Sequence, residues 1–155
     1  MSISYVTENL LKYSDGILLH GCNAKGVMGS GVAKAIRAKY PIAYEIYHKT
    51  FNDKGLSLGD VVYVEINKYL WIANGITQAS YGRSGAQFID YDAINSVMIN
   101  INAFAKKHGI KTVAMPLIGA GLGGGSWTTI SGIIEDKLID VQPIVYLLDG
   151  KIPDS

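Results

Sequence analysis

Ile17-Leu-Leu-His-Gly-Cys-Asn-Ala-Lys-Gly-Val-Met-Gly-Ser-Gly-Val-Ala33 begins as an apolar run of strand length, ends in a glycine-dense turn and opens into a helical pattern. A second stretch repeats the plan: the apolar run Thr112–Ile118 leads through Pro116-Leu-Ile-Gly-Ala-Gly-Leu-Gly-Gly-Gly-Ser-Trp127 into another helical stripe. Strand, glycine turn and helix N-terminus together point free backbone N–H groups and a positive helix end at an anion, and glycine lets a phosphate come close. Two such loops predict a ligand that carries a diphosphate.

Outward from these loops, further strand-length runs lie at Ile3–Val6, Val61–Ile66, Leu70–Ala73 and Ile144–Leu148, bounded by glycine, proline, asparagine or aspartate. Val32, Ile36 and Tyr40 recur at helical spacing and predict a helix over 30–40 that closes at Pro41. Tyr44, Ile46, Tyr47 and Phe51 predict a second helix ending near Gly55. Ile94, Val97, Met98, Ile101, Phe104 and Ala105 form a clear stripe, with Asp90 or Asp92 as N-cap and Lys106-Lys107-His108-Gly109 at its end. Trp127, Ile130, Ile133, Ile134 and Leu138 make the last. The order of elements predicts an α/β fold, a mixed and mostly parallel six-stranded sheet with helices on both faces.

A chain of 155 residues, 48% hydrophobic and 17% charged, is expected to form a single domain over residues 1–155. Its net charge is +1 with no block of like charges, which speaks against a broad basic surface for nucleic acid. The single cysteine, Cys22, excludes an internal disulfide and a four-cysteine zinc site and fits a reducing compartment. The first residues lack a basic start and a long apolar core, and no run reaches the roughly twenty apolar residues that span a bilayer. A soluble, cytoplasmic protein with no membrane partner is the expectation.

Neither glycine loop holds an acid: none occurs between Gly16 and Tyr44, and the first after Pro116 is Glu135. Magnesium-assisted phosphoryl transfer needs carboxylates, so these loops are expected to hold phosphates through backbone N–H groups, with no metal and no cofactor. The Lys-Ser/Thr pair of a P-loop and the acidic residue of a dinucleotide fingerprint are both missing. His20 and Asn23 flank Gly21-Cys22 where a parallel sheet places its ligand crevice. His20 reads equally as a proton shuttle and as a satisfied strand-end histidine. Asn23 reads as a contact to a sugar hydroxyl or water, in preference to a turn residue bonded to its own backbone. Cys22 is expected to be a buried small hydrophobe, Lys25 and Lys34 solvated, Trp127 a packing residue, and Asp90 and Tyr91 a cap and a core aromatic. Asn74, Gln78 and Tyr81, in the polar stretch Asn74–Gly85, are rim candidates.

Taken together, Tyr5-Val-Thr-Glu-Asn-Leu-Leu, His20-Gly-Cys-Asn23, Met28-Gly-Ser-Gly-Val-Ala-Lys-Ala-Ile36 and Met115–Trp127 make the chain resemble a macro domain, the ADP-ribose-binding module, from about Ile3 to Leu148. The resemblance implies a three-layer α/β/α sandwich. It implies that Asn23 meets the distal ribose and that Gly29, Ser30, Gly31 and Val32 present backbone to the phosphates. Ile118, Gly119, Ala120, Gly121, Leu122, Gly123 and Gly124 would close over the diphosphate and that ribose. Asn9, with Leu10 beside it, stands where many macro domains carry an aspartate for the adenine amino group; an amide still accepts there, without charge. In the subgroup that uses a lysine nucleophile and an aspartate, these would fall near Ile76 or Thr77 and near Gly123, and neither residue is present. The small stand-alone members described as ADP-ribose 1″-phosphate phosphatases are similar in size and in Ile72-Ala-Asn-Gly-Ile-Thr-Gln78. The expectation is therefore a metal-free hydrolase of ADP-ribose 1″-phosphate, with His20 and Asn23 as its catalytic residues. The rivals are a non-enzymatic ADP-ribose reader and a hydrolase of protein- or nucleic-acid-linked ADP-ribose.

Overall fold

In a computed structural model, which describes residues 1–81, 88–121 and 123–153, six strands lie in one sheet of order β1-β6-β5-β2-β4-β3. The chain runs β1 (Ser4–Thr7), a 3-10 turn (Leu10–Lys12), β2 (Gly16–Asn23), α1 (Gly31–Lys39), α2 (Pro41–Lys54), β3 (Val61–Glu65) and β4 (Leu70–Gln78). It continues through α3 (Tyr91–His108), β5 (Thr112–Met115), α4 (Trp127–Lys137) and β6 (Gln142–Leu147). All pairings are parallel except that of β3 with β4. The expected mixed, mostly parallel α/β sandwich is what the chain forms.

Strand period decides the layers. Along β2, Ile17 and Leu19 face a core built with Ile94, Val97, Met98 and Ile101 of α3 and Ile130 and Ile134 of α4. Leu18 points the other way, into a core with Ile36 of α1, Ala43 of α2 and Ile72 of β4. Both faces of β2 are thus covered, which is why its sequence reads as continuous rather than alternating apolar residues.

Three boundaries differ most from the sequence reading. β4 extends past Ala73 to Gln78, because the polar stretch Asn74–Gln78 is paired to β2 on one side and its first part to β3 on the other. β5 stops at Met115 instead of running to Ile118: Pro116 has no N–H for the ladder, and the Ile118 N–H bonds back to the Pro116 carbonyl at 2.7 Å. α2 starts at Pro41, three residues earlier than its apolar pattern, with proline at the first helical position and Tyr40 as the break from α1. As expected, α3 is capped by Asp90, whose carboxylate accepts from the Ala93 N–H at 2.9 Å, and closes on Gly109 in the left-handed region. Among the described residues no helix is long and apolar enough to cross a membrane.

Candidate functional site

The parallel strands β2, β4 and β5 end at the same edge of the sheet, and the two glycine loops rise from β2 and β5 there. Between them lies a cavity of about 510 Å³, a size suited to a nucleotide-like ligand. It sits where the chain leaves β2 toward β4 on one side and returns through β5 on the other, the crevice expected of an open parallel sheet.

The first loop is built by its own backbone and by α2. Asn23 is 7% exposed, and its amide is engaged within the loop: Nδ2 donates to the Val27 carbonyl at 2.8 Å, and Oδ1 accepts from the Lys25 N–H at 3.0 Å. The buried Tyr47 hydroxyl donates to the Asn23 carbonyl at 2.6 Å, and His48 Nδ1 donates to the Gly26 carbonyl at 3.0 Å. The local side-chain turn weighed against ligand contact for Asn23 is therefore the arrangement present, although the residue also borders the cavity. Beyond the loop, Ser30 caps α1 through its position without a side-chain bond, so the first N–H groups of α1, at Gly31, Val32 and Ala33, are left for an anion.

The second loop works differently from the first. Its glycines, not its helix, form the wall: Gly119, Gly121 and Gly123 border the cavity, whereas none of Ser126–Thr129 does. The start of α4 carries its own side-chain cap, with Ser126 Oγ accepting from the Thr129 N–H, and the Ser126 N–H donates to the Tyr91 hydroxyl. The expectation of two helix ends facing one ligand is thereby corrected to one helix end and one glycine loop. The loop is pinned by Gly125 N–H to the Gly119 carbonyl at 2.8 Å and by the Phe88 and Ile89 N–H groups to the Gly123 carbonyl. Gly119 adopts φ +76°, and a Cβ there would lie 2.6 Å from Ile89, so this position requires glycine.

Of the residues named from sequence, His20, Asn23, Gly29, Ser30, Gly31, Val32, Ile118, Gly119, Gly121 and Gly123 border the cavity. Asn9, Leu10, Ala120 and Gly124 do not; Asn9 caps the 3-10 turn, its Oδ1 accepting from the Leu11 N–H at 3.0 Å. Leu122 and the Gly82–Gly85 part of the polar stretch lie outside the described residues. Gln78 and Tyr81 are at the wall as rim candidates, joined by Thr77, which the sequence reading named only as a position near which a lysine nucleophile is absent. Asn74 is fully buried away from it. No aspartate, glutamate, lysine or arginine is among the described wall residues, and Lys25 and Lys34 are exposed.

His20 is 1% exposed, and its Nε2 lies 2.6 Å from Asn74 Oδ1. The Asn74 amide nitrogen donates to the carbonyls of Val62 and Ala43, which makes Oδ1 the acceptor and His20 the Nε2–H tautomer. Burial pushes the imidazole pKa down to about 4, against a smaller upward pull from Asn74, so the ring is neutral near pH 7. Cys22 packs beside it with Met28, Tyr47 and Ile76, and burial pushes its thiol well above the usual range, as suits a small hydrophobe.

Fold and site together define an α/β/α domain with a cleft at the C-terminal edge of its sheet, bordered by two glycine loops and free of charged side chains among its described wall residues. The Macro domain family model matches residues 19–134, and the chain belongs to that family. It is 32% identical over 165 residues to an uncharacterized 17.5 kDa protein of Enterobacteria phage T4, covering 94% of this chain and 100% of that one. It is 25% identical over 162 residues to the ADP-ribose 1″-phosphate phosphatase of Lodderomyces elongisporus, covering 96% and 100% respectively. A DNA ADP-ribosyl transferase–DNA ADP-ribosyl glycohydrolase fusion protein of Thermosipho africanus is 26% identical over 156 residues, 85% of this chain but only 38% of the fusion. Among solved structures, a Bacteroides thetaiotaomicron protein of unknown function superposes with TM-score 0.86 at 31% identity, over 96% of this chain and 99% of that one. The Thermosipho africanus DarTG complex with ADP-ribose superposes with TM-score 0.81 at 25% identity, over 99% of this chain and 43% of that one.

Proposed function

We propose that this chain binds ADP-ribose and hydrolyses ADP-ribose 1″-phosphate to ADP-ribose and phosphate without a metal. The observation that carries the reading is the cleft wall: one helix N-terminus and one glycine loop supply backbone, and no charged side chain is among the described wall residues. Such a wall suits phosphates held by N–H groups. The similarity to a phosphatase of this substrate along nearly the whole of both chains supports the reaction.

In this reading the adenine lies toward Asn9, whose Oδ1 keeps a second lone pair for the amino group, and the terminal ribose lies toward the ends of β2 and β4. Water attacks phosphorus, the P–O bond to C1″ breaks, and the sugar oxygen leaves with a proton. Loop N–H groups stabilise charge on the phosphoryl group. His20 is neutral with Nε2–H committed to Asn74, so the role left to it is acceptance of a proton at Nδ1. Asn23 acts by holding the first loop in shape.

Phosphorus NMR of ADP-ribose 1″-phosphate mixed with the protein in EDTA tests this directly. Catalytic appearance of inorganic phosphate is the expected result. Unperturbed ligand signals would sink the ligand assignment. A second reading, a non-enzymatic ADP-ribose reader, is favoured by the sealed His20 and the committed Asn23 amide; perturbed signals without phosphate release would select it. Release of ADP-ribose from modified DNA in a parallel sample would move the assignment to the glycohydrolases.

A further inference from the structure

Thr77 is 1% exposed, yet its hydroxyl makes no hydrogen bond to any described residue. Among the described residues no fully sealed side-chain nitrogen or oxygen lacks a partner, and Thr77 borders the cavity, so this hydroxyl opens into the cleft. Buried hydroxyls in native proteins are almost always paired, and one left unpaired inside a cleft is a group kept for a ligand. Gly21 stands across from it: a Cβ there would lie 2.8 Å from Thr77 Oγ1, so glycine is what keeps the space in front of the hydroxyl clear. The strand end is held rigid, with the Asp90 N–H on the Thr77 carbonyl at 2.8 Å and the Ala24 N–H on the Gln78 carbonyl at 3.0 Å.

Gln78 adds a second oxygen. Its Nε2 donates to the Ser80 carbonyl at 2.6 Å, which fixes the amide and turns Oε1 toward the second loop, 3.3 Å from where a Cβ on Gly123 would lie. An amide oxygen accepts only, so it repels phosphate oxygens and welcomes a hydroxyl; a threonine hydroxyl both donates and accepts. A sugar hydroxyl matches that pair, while the N–H groups of α1 and the second loop take the phosphates. β4 lies four strands across from β1, which at the usual spacing is about 19 Å from the Asn9 end, a separation suited to the two ends of a dinucleotide-sized ligand.

We propose that Thr77 is a ligand-binding residue, its hydroxyl hydrogen-bonding a hydroxyl of the terminal ribose with Gln78 Oε1 as companion acceptor. This inference rests on the ADP-ribose reading above. Calorimetric titration of ADP-ribose and of ADP, which lacks the terminal ribose, into wild type, Thr77→Val and Thr77→Ser tests it, with far-UV circular dichroism as a check on folding. Thr77→Val is expected to weaken ADP-ribose about tenfold, the usual effect of losing one buried hydrogen bond, and to leave ADP within about twofold; Thr77→Ser keeps wild-type affinity. ADP-ribose affinity unchanged in Thr77→Val, or equal loss for both ligands, overturns the inference and leaves the ADP-ribose reading standing. Wild-type protein that does not bind ADP-ribose overturns both.

Discussion

His20 shows how burial sets the chemistry of a residue, overriding the smaller upward pull of its hydrogen bond to Asn74. Folding seals the imidazole and lowers its pKa from 6.5 to about 4, so the unfolded chain binds a proton in this interval that the folded chain does not. Stability therefore rises with pH across it and is lost as pH falls from 6.5 toward 4. Between pH 7 and pH 5 this group alone removes roughly 2 kcal/mol, seen as a lower urea midpoint, and a His20→Gln variant shows a flatter pH profile over the same interval. An equally steep profile in His20→Gln would assign the acid sensitivity elsewhere. Asn23 teaches the complementary lesson. Its residue type suited both a sugar contact and a local turn, and only the tertiary placement of Tyr47 and the loop carbonyls separates the two.

At the level of elements, capping and glycine geometry carry the predictions. Asp90→Ala removes the one side-chain cap of α3 and is expected to cost about 1 kcal/mol in urea unfolding. Gly119→Ala is expected to cost more, because a positive φ and a clash with Ile89 act together, and to weaken ADP-ribose binding while Asp90→Ala leaves the loop glycines in place. Unchanged stability in Gly119→Ala would refute the close approach. The helical stripe of α3, its cap and the glycine-bounded strands were legible because period and turn chemistry are local properties of sequence. The second half of β4 was not: Asn74-Gly-Ile-Thr-Gln78 has the composition of a loop, and it is a strand because its neighbours supply what its own residues lack. Gly75 admits Val97 and Leu19, and the Asn74 amide reaches the carbonyls of Val62 and Ala43. Thr77 was legible only as a position near which a lysine nucleophile is absent, since giving its own hydroxyl a role requires knowing that its strand continues to the cleft. The 3-10 turn at Leu10–Lys12 also escaped, being too short to show a period.

At the scale of the whole molecule, anions are held, in the proposed reading, by oriented backbone dipoles in place of charged side chains. Its net charge is +1, and the described cleft wall holds no charged side chain. ADP-ribose affinity is accordingly expected to fall by less than about threefold between 50 and 500 mM sodium chloride, because fixed dipoles at close range are screened far less than exposed charges a Debye length away. Calorimetric titration at the two salt concentrations checks this, and a loss of tenfold or more would point to lysines or arginines taking part. Ligand at a hundredfold excess over its Kd should add about 2.7 kcal/mol to the folded state, read as a rise in Tm, and EDTA should leave that rise intact. The grip of α2 on the first loop, through Tyr47 on Asn23 and His48 on Gly26, has a thermodynamic corollary. That half of the cradle loses its conformational freedom during folding and has little left to lose when a ligand arrives, so preorganisation there favours a small ordering entropy of binding and a slow departure once the phosphate is seated.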